Sequence, residues 1–216
     1  EEQASIAAQS GDEYDKLLAK GARYAAKQDW RKAAKACREA IALWPDEPGS
    51  YLNLGVALDN SGHQAEAVQR FLEAKERYPM GSENWAAATA SAFHMLVRNE
   101  CSEVTKPEWW NDERLKALSA RVVRAAPNEV RAHNMQAGVL GGMSCGTWDV
   151  GPRSAAELKL AATHFDRAAA LSNAPAAKAG YASIAGLCRS EAEAMWRCSA
   201  PYLEARPTFD FLAFLF

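Results

Sequence analysis

The sequence predicts an all-α fold, a solenoid of antiparallel helix pairs with about four hairpins and a C-terminal capping helix. Three observations predict it. The 216 residues are rich in Ala, Leu, Glu, Lys and Arg, and this composition favours helix over strand. A pattern of small and large apolar residues returns every thirty-four positions. Polar stretches interrupt the helical patterns where each hairpin would reverse direction.

The thirty-four-residue repeat is clearest between the first two units. Gly21, Tyr24, Ala33, Ala40 and Pro45 return as Gly55, Leu58, Ala67, Ala74 and Pro79. Two amphipathic helices cannot bury their apolar faces alone, so each hairpin must pack against the next one. We expect the small residues at the closest helix contacts and the prolines at the ends of the second helices.

One position breaks the likeness between the two units. Cys37 stands where the second unit has Phe71. Because an unpaired cysteine behaves as a small apolar side chain, we expect Cys37 to be buried and unreactive.

The repeat divides the chain into seven segments. Pro127 follows Pro79 by forty-eight residues, so the third unit carries an insertion of fourteen, which we place around residues 98–112. The last helical segment is interpreted as one capping helix, or as a degenerate hairpin, that ends before Pro201. The predicted segments are an N-terminal extension (1–13), four units (14–47, 48–81, 82–129 and 130–174), the cap (175–200) and an apolar tail (201–216).

The second unit, SYLNLGVALDNSGHQAEAVQRFLEAKERYP, has a large residue, then Leu-Gly, two alanines around an aromatic and a closing proline. This pattern resembles the tetratricopeptide repeat (TPR) family, clearly over residues 14–97 and more loosely to residue 171. The resemblance implies a right-handed superhelical solenoid. It also implies that the first helices of successive hairpins line a concave groove that holds a peptide of a partner protein.

The resemblance places a set of residues in this groove by spacing. For each of them, packing against a neighbouring helix is the alternative, and the sequence leaves both interpretations open. The groove residues are Leu18, Ala22, Ala25, Ala26, Leu52, Val56, Asp59, Asn60, Ala90, Phe93, His94, Arg131 and Asn134.

Some members of the family hold the C-terminal carboxylate of a chaperone with Lys, Asn and Arg side chains. This chain has Leu18, Ala22, Glu83 and Ala87 at four of the corresponding positions, and only Asn53 matches. Since no cation is left to pair with a carboxylate, we do not expect binding of a chaperone tail.

Three tryptophans stand in the long loops of the third and fourth units. Trp109 and Trp110 lie in the insertion, and Trp148 lies in the fourth-unit loop. Aromatic residues on loops often anchor protein interfaces. They serve equally often as lids folded back over the solenoid, and the sequence leaves the two interpretations open.

No motif for catalysis, metal binding or cofactor binding stands out. The four histidines are scattered, the five cysteines form no CxxC pair, and no phosphate-binding loop follows Gly141 and Gly142. These patterns argue against a zinc site or a nucleotide site. We expect no cofactor and no enzymatic activity.

The predicted function is a non-catalytic scaffold or adaptor that binds a protein or peptide partner. Membership of a multi-subunit complex is one form of this hypothesis. A regulatory or targeting region of a larger enzyme is the alternative. An RNA-binding helical repeat is weaker, because the net charge is −2 and nucleic-acid binding favours a basic surface. The first hairpin, with eight basic residues from Lys16 to Arg38, is the local exception.

The sequence also carries expectations about the compartment. No apolar run reaches the roughly 20 residues that a membrane span needs, and the unpaired cysteines favour a reducing intracellular compartment, the cytoplasm first. The chain begins with Glu1, so a processed form, an organellar form without its targeting peptide, or a fragment stays open. The tail FDFLAFLF is expected to dock on the last helices, on a partner, or to continue into a longer parent protein.

Overall fold

The computed structural model describes the backbone of residues 2–204 and the side chains of residues 12–196. Within that range the chain forms nine α-helices and one short 3₁₀ turn, and no strand. In chain order the helices are α1 (Glu2–Ala26), α2 (Trp30–Leu43), α3 (Pro48–Asn60), α4 (Gln64–Arg77), α5 (Glu83–Leu96), α6 (Asp112–Ala125), α7 (Val130–Leu140), α8 (Ala155–Leu171) and α9 (Pro175–Glu204).

Each helix packs against the next helix of the chain, from α1 to α9. The first helices also meet one another, since α1 contacts α3 and α5 contacts α7. This arrangement confirms the predicted all-α solenoid. Its physical cause is that every hairpin hides its apolar side against the following hairpin, and the main apolar core accordingly extends from Ala33 in α2 to Trp148 beyond α7.

The repeated small residues lie where helices approach most closely. Ala40, Ala67 and Ala74 are fully buried. A Cβ atom added to Gly55 would lie 2.7 Å from the ring of Phe71, which no real side chain tolerates without movement of its neighbours. The glycine therefore allows α3 to approach α4 as the repeat predicted.

Local signals set the helix ends. The side chain of Asp29 caps α2 by accepting a hydrogen bond from the Lys32 backbone N–H at 3.2 Å, and Ser154 forms a capping box with Glu157 at the start of α8. The first hairpin reverses through Gln28, which has φ 58°. The second uses Gly62, which has φ 81°, a conformation that suits glycine.

The insertion of the third hairpin lies between α5 and α6. It begins with a 3₁₀ turn, Asn99–Cys101, that packs against α4. The Lys106 ammonium donates to the carbonyls of Leu96 at 2.9 Å and Cys101 at 3.0 Å. The Leu96 carbonyl lies at the end of α5, where helical carbonyls lack an intrahelical donor, and the Cys101 carbonyl also accepts from the Val104 backbone N–H at 3.2 Å.

Both ends of the described chain are more helical than the sequence predicted. The segment 1–13 was expected to be an extension, but α1 already begins at Glu2, because its Ala, Glu and Gln residues favour helix. The cap was expected to end before Pro201, but α9 is one helix that continues to Glu204. Pro201 lies in the last turn, where a missing backbone donor disturbs few following residues. The tail residues 205–216 lie outside the described part.

Among residues 2–204, no helix is long and apolar enough to cross a bilayer.

Candidate functional site

The predicted groove residues lie on α1, α3, α5 and α7, the first helices of the four hairpins. Four of them are exposed: Ala22, Ala26, Asn60 and Arg131. Seven are half-buried: Leu18, Ala25, Leu52, Val56, Asp59, His94 and Asn134. The accessible members of this set are apolar on α1 and in the first part of α3, and polar from Asp59 onward.

Ala90 and Phe93 differ from the rest of the predicted groove. Ala90 is fully buried and Phe93 is only 3% exposed, so neither offers a surface to a partner. Phe93 lies under Trp110 and Trp148, with ring centroids 5.5 and 6.0 Å away. Their assignment to an accessible groove is therefore corrected: the aromatic residues of the long loops cover this part of α5.

The two long loops bind each other through their tryptophans. The Trp110 indole N–H donates to the Thr147 carbonyl at 2.9 Å, and the Trp148 indole N–H lies 3.3 Å from a carboxylate oxygen of Asp112. Trp110 is 8% exposed and Trp148 is 7% exposed. Of the two interpretations left open by the sequence, burial favours the lid over the exposed anchor for these two residues.

Trp109 is the accessible member of the three tryptophans. It is half-buried, its ring centroid lies 5.5 Å from that of Trp110, and the Lys75 ammonium lies 5.7 Å from its centroid. A cation near an aromatic face is attracted to the electron-rich ring. Trp109 therefore joins the insertion to α4 and keeps part of its ring in solvent.

A largely buried ion pair holds the two loops at their base. The Arg153 guanidinium donates to both carboxylate oxygens of Asp112, one of them at 2.8 Å, and to the Val139 carbonyl at 2.9 Å. The hydrogen bonds from Arg153 hold the pKa of Asp112 well below its usual range. Asp112 begins α6 and Arg153 precedes α8, so the pair joins the start of α6 to the segment before α8.

Lys116 extends this network to α8. Its ammonium lies 2.7 Å from Glu157 and 3.4 Å from Asp112. The Lys116 hydrogen bond, followed by those from Ser154, lowers the pKa of Glu157 to about 2. The sequence interpretation missed this network, because the pairs that join its two halves, Asp112 with Arg153 and Lys116 with Glu157, are far apart in the sequence.

The polar end of the groove centres on His94. Its Nε2 atom lies 3.4 Å from both the Arg131 carbonyl oxygen and the Asn134 amide nitrogen, while the Arg131 guanidinium donates to the Ser91 hydroxyl at 3.0 Å. Burial, followed by the Arg131 charge, lowers the pKa of His94 to about 4. The imidazole is therefore neutral at pH 7 and serves as a hydrogen-bonding group that ties α5 to α7.

An ion pair joins the middle of the predicted groove to the insertion. Arg98, just beyond α5, donates to Asp59 on α3 at 3.1 Å. This pair neutralises the one acidic residue in the predicted groove. It also attaches the start of the insertion to the preceding hairpin.

A histidine pair lies between α7 and α8, away from the predicted groove residues. The Nδ1 atoms of His133 and His164 are 2.9 Å apart, and Nε2 of His133 lies 3.0 Å from the Pro127 carbonyl oxygen. Donation to Pro127 from Nε2 leaves Nδ1 of His133 as an acceptor for His164. Burial, followed by the nearby His133, lowers the pKa of His164.

The described side chains hold no group of three or more His, Cys, Asp or Glu residues placed to bind a metal ion. Cys37, Cys101 and Cys188 are buried, and Cys145 is exposed. Burial raises the pKa of the Cys37 thiol to about 11, so this cysteine stays protonated, as expected of a small apolar core residue.

A comparison with solved structures supports the fold. No family model and no curated protein matches the chain. The chain resembles the crystal structure of MamA, a TPR-like protein, with a TM-score of 0.53 and 14% sequence identity over 93% of this chain and 97% of the MamA chain. At this identity the likeness concerns the fold alone.

Proposed function

We propose that this chain is a non-catalytic scaffold of the tetratricopeptide type that holds a segment of a partner protein along its first helices. The observation that carries the proposal is the row of accessible side chains on the first helices. The first helices α1 and α3 contact each other, as do α5 and α7, yet each keeps exposed or half-buried side chains among the groove residues. Apolar residues on this face such as Leu52 and Val56 are half-buried, and covering them by a partner would remove the rest of their surface from water.

The proposal includes the division into repeats. The proposed units 48–81, 82–129 and 130–174 each span two α-helices, and the unit 14–47 spans α2 and the second half of α1. α9 covers the last unit by packing on α8. The insertion in the third hairpin and the long loop in the fourth then belong to one edge of the scaffold, where they pack together through Trp110 and Thr147.

The chemistry of the face changes along its length. Leu18, Ala22, Leu52 and Val56 offer apolar surface at the first two hairpins. Asn134 and Arg131 offer hydrogen-bond donors at the fourth, and the Arg131 charge is exposed. A partner segment with an apolar part and a polar or acidic part would match this order, because buried polar groups need partners and apolar groups gain from leaving water.

The test uses arginine substitutions in the proposed groove. Ala22→Arg and Leu52→Arg place a long charged side chain on α1 and α3, where an apolar partner side chain would have to desolvate it. We expect at least a tenfold loss of affinity for a partner captured from native extract and then purified, measured by calorimetry. Phe93 is unsuitable for this test because it is buried and its replacement by Arg would disrupt the core.

The matched control is Ala65→Arg. Ala65 is exposed like Ala22, but it lies at the start of α4, a second helix. We expect this variant to bind the partner within twofold of the unmodified chain. Equal affinity of all three variants would show that the partner binds elsewhere and would refute the groove.

A further inference from the structure

The first two hairpins differ at one buried position that faces the first helix. In the second hairpin, Phe71 lies so close to Gly55 that an added Cβ would be 2.7 Å from its ring. In the first hairpin, Cys37 takes the same place, and a Cβ added to Gly21 would be an ordinary 3.5 Å from its sulfur atom. A thiol fills less volume than a benzyl group, so the first hairpin has room where the second has a ring.

An apolar notch occupies that room. It has a volume of about 80 Å³ and is lined by Gly21, Ala22, Ala25, Trp30, Ala33, Cys37, Asn53, Val56 and Ala57. Ala33, Cys37 and Ala57 are buried and form its floor. The rim residues are exposed or half-buried, and three of them, Ala22, Ala25 and Val56, are proposed groove residues. The notch therefore opens into the groove between α1 and α3.

The lining of the notch determines what it can bind. None of its lining residues is charged. The polar side-chain groups among them are the Asn53 amide and the Trp30 indole N–H, both at the rim. A buried water needs two to four polar partners, which this floor of alanine methyl groups and a protonated thiol does not provide. Space of this kind gains most from an apolar occupant.

The size of the notch narrows the occupant further. An apolar cavity of about 150 Å³ accepts a benzene ring, and this notch has about half that volume. A branched aliphatic group fits such a volume better than a free aromatic ring does. Asn53 at the rim can then hydrogen-bond a backbone group of the segment that carries the aliphatic side chain.

We propose that the notch between α1 and α3 is a binding site for one leucine, isoleucine or valine side chain of a partner segment lying in the groove. The identity of the partner segment rests on the proposed function. The notch itself exists independently of that function and can be tested with a small probe.

The probe is N-acetyl-leucine amide, with N-acetyl-alanine amide as the matched control. The full chain is labelled with ¹³C at its alanine methyl groups, because Ala25, Ala33 and Ala57 line the notch and report on it directly. We expect saturable shifts at these methyl groups in roughly the millimolar range that single side chains reach, with at least fivefold weaker binding of the alanine probe. Equal responses to both probes, or shifts elsewhere, would overturn the proposal.

Two variants close the notch in different ways. Cys37→Phe restores the residue that the second hairpin uses, and Ala25→Leu narrows the rim without changing the buried floor. We expect both to abolish the response to the leucine probe, whereas Ala65→Leu on α4 leaves it unchanged. If Cys37→Phe does not fold, Ala25→Leu decides, and leucine-probe binding retained in that variant would overturn the proposal.

Two further outcomes are distinguishable. Shifts of the notch methyl groups that grow with protein concentration, without any probe, would show that a second copy of the chain fills the notch and would overturn the assignment to a partner. If the leucine probe binds in the notch while Ala22→Arg and Leu52→Arg leave partner affinity unchanged, the groove function fails and the notch stands.

Discussion

Replacing the two repeat glycines by alanine should change stability in opposite directions. Alanine in a helix interior gains about 0.5–1 kcal/mol over glycine. At Gly21 the added methyl group meets the Cys37 sulfur at an ordinary 3.5 Å, so we expect that gain in full. At Gly55 the methyl group would lie 2.7 Å from the ring of Phe71, a fully buried residue, so the ring or α3 must shift.

Overpacking of this kind costs about 1–3 kcal/mol. The net loss for Gly55→Ala is then about 0.5–2 kcal/mol, and the melting temperature should fall by roughly 2–4 °C per kcal/mol. Thermal and urea unfolding, followed by circular dichroism, measure both variants side by side. Adding Phe71→Cys should convert Gly55→Ala from destabilising to stabilising, because the pair then matches the first hairpin. If Gly21→Ala and Gly55→Ala shift stability in the same direction, α3 does not approach Phe71 as closely as described.

Further predictions concern the loops and the groove. Asp112→Asn removes the charge that faces Arg153, and urea unfolding should show a loss of about 2–3 kcal/mol because a mostly buried guanidinium is left without its counter-ion. Lys106→Met should cost about 1–2 kcal/mol in the same assay by leaving the Leu96 carbonyl without a donor. The pKa of His94 is lowered from 6.5 to about 4. Between these two pH values the unfolded chain therefore binds a proton at this histidine, whereas the folded chain does not. The contribution of His94 to the free energy of unfolding should therefore be complete above pH 6.5. The free energy of unfolding should fall by about 1–3 kcal/mol towards pH 4. His94→Gln should flatten that slope, and His63→Gln, at an exposed position, should not.

The repeated part of the fold was predictable because its causes are local and periodic. Gly55 and Phe71 lie in adjoining helices of one hairpin, and the same spacing appears in the preceding unit. A sequence in which small residues return every thirty-four positions therefore indicates both the helices and the contacts between them. The first helices and their accessible residues on α1 and α3 followed from the same period.

The loops were not predictable in the same way. Trp110 donates to Thr147 and Arg153 pairs with Asp112, and in both cases the partners lie in different hairpins. Neither residue pair belongs to the thirty-four-residue pattern, so no periodic signal marks these contacts. For this reason Phe93 was assigned to the groove by spacing, although loop residues from two hairpins cover it.

The loop tryptophans reduce the part of α5 that a partner could reach. Where Trp110 and Trp148 lie over Phe93, α5 would contribute to the proposed groove mainly through His94, a neutral and half-buried group. The accessible apolar surface is thereby concentrated on α1 and α3, next to the notch above Cys37. A segment bound along this face would have one preferred direction, with its aliphatic residue at the first hairpin and its polar residues towards Arg131, because the reverse orientation would bury polar groups against alanine methyl groups and leave the notch empty.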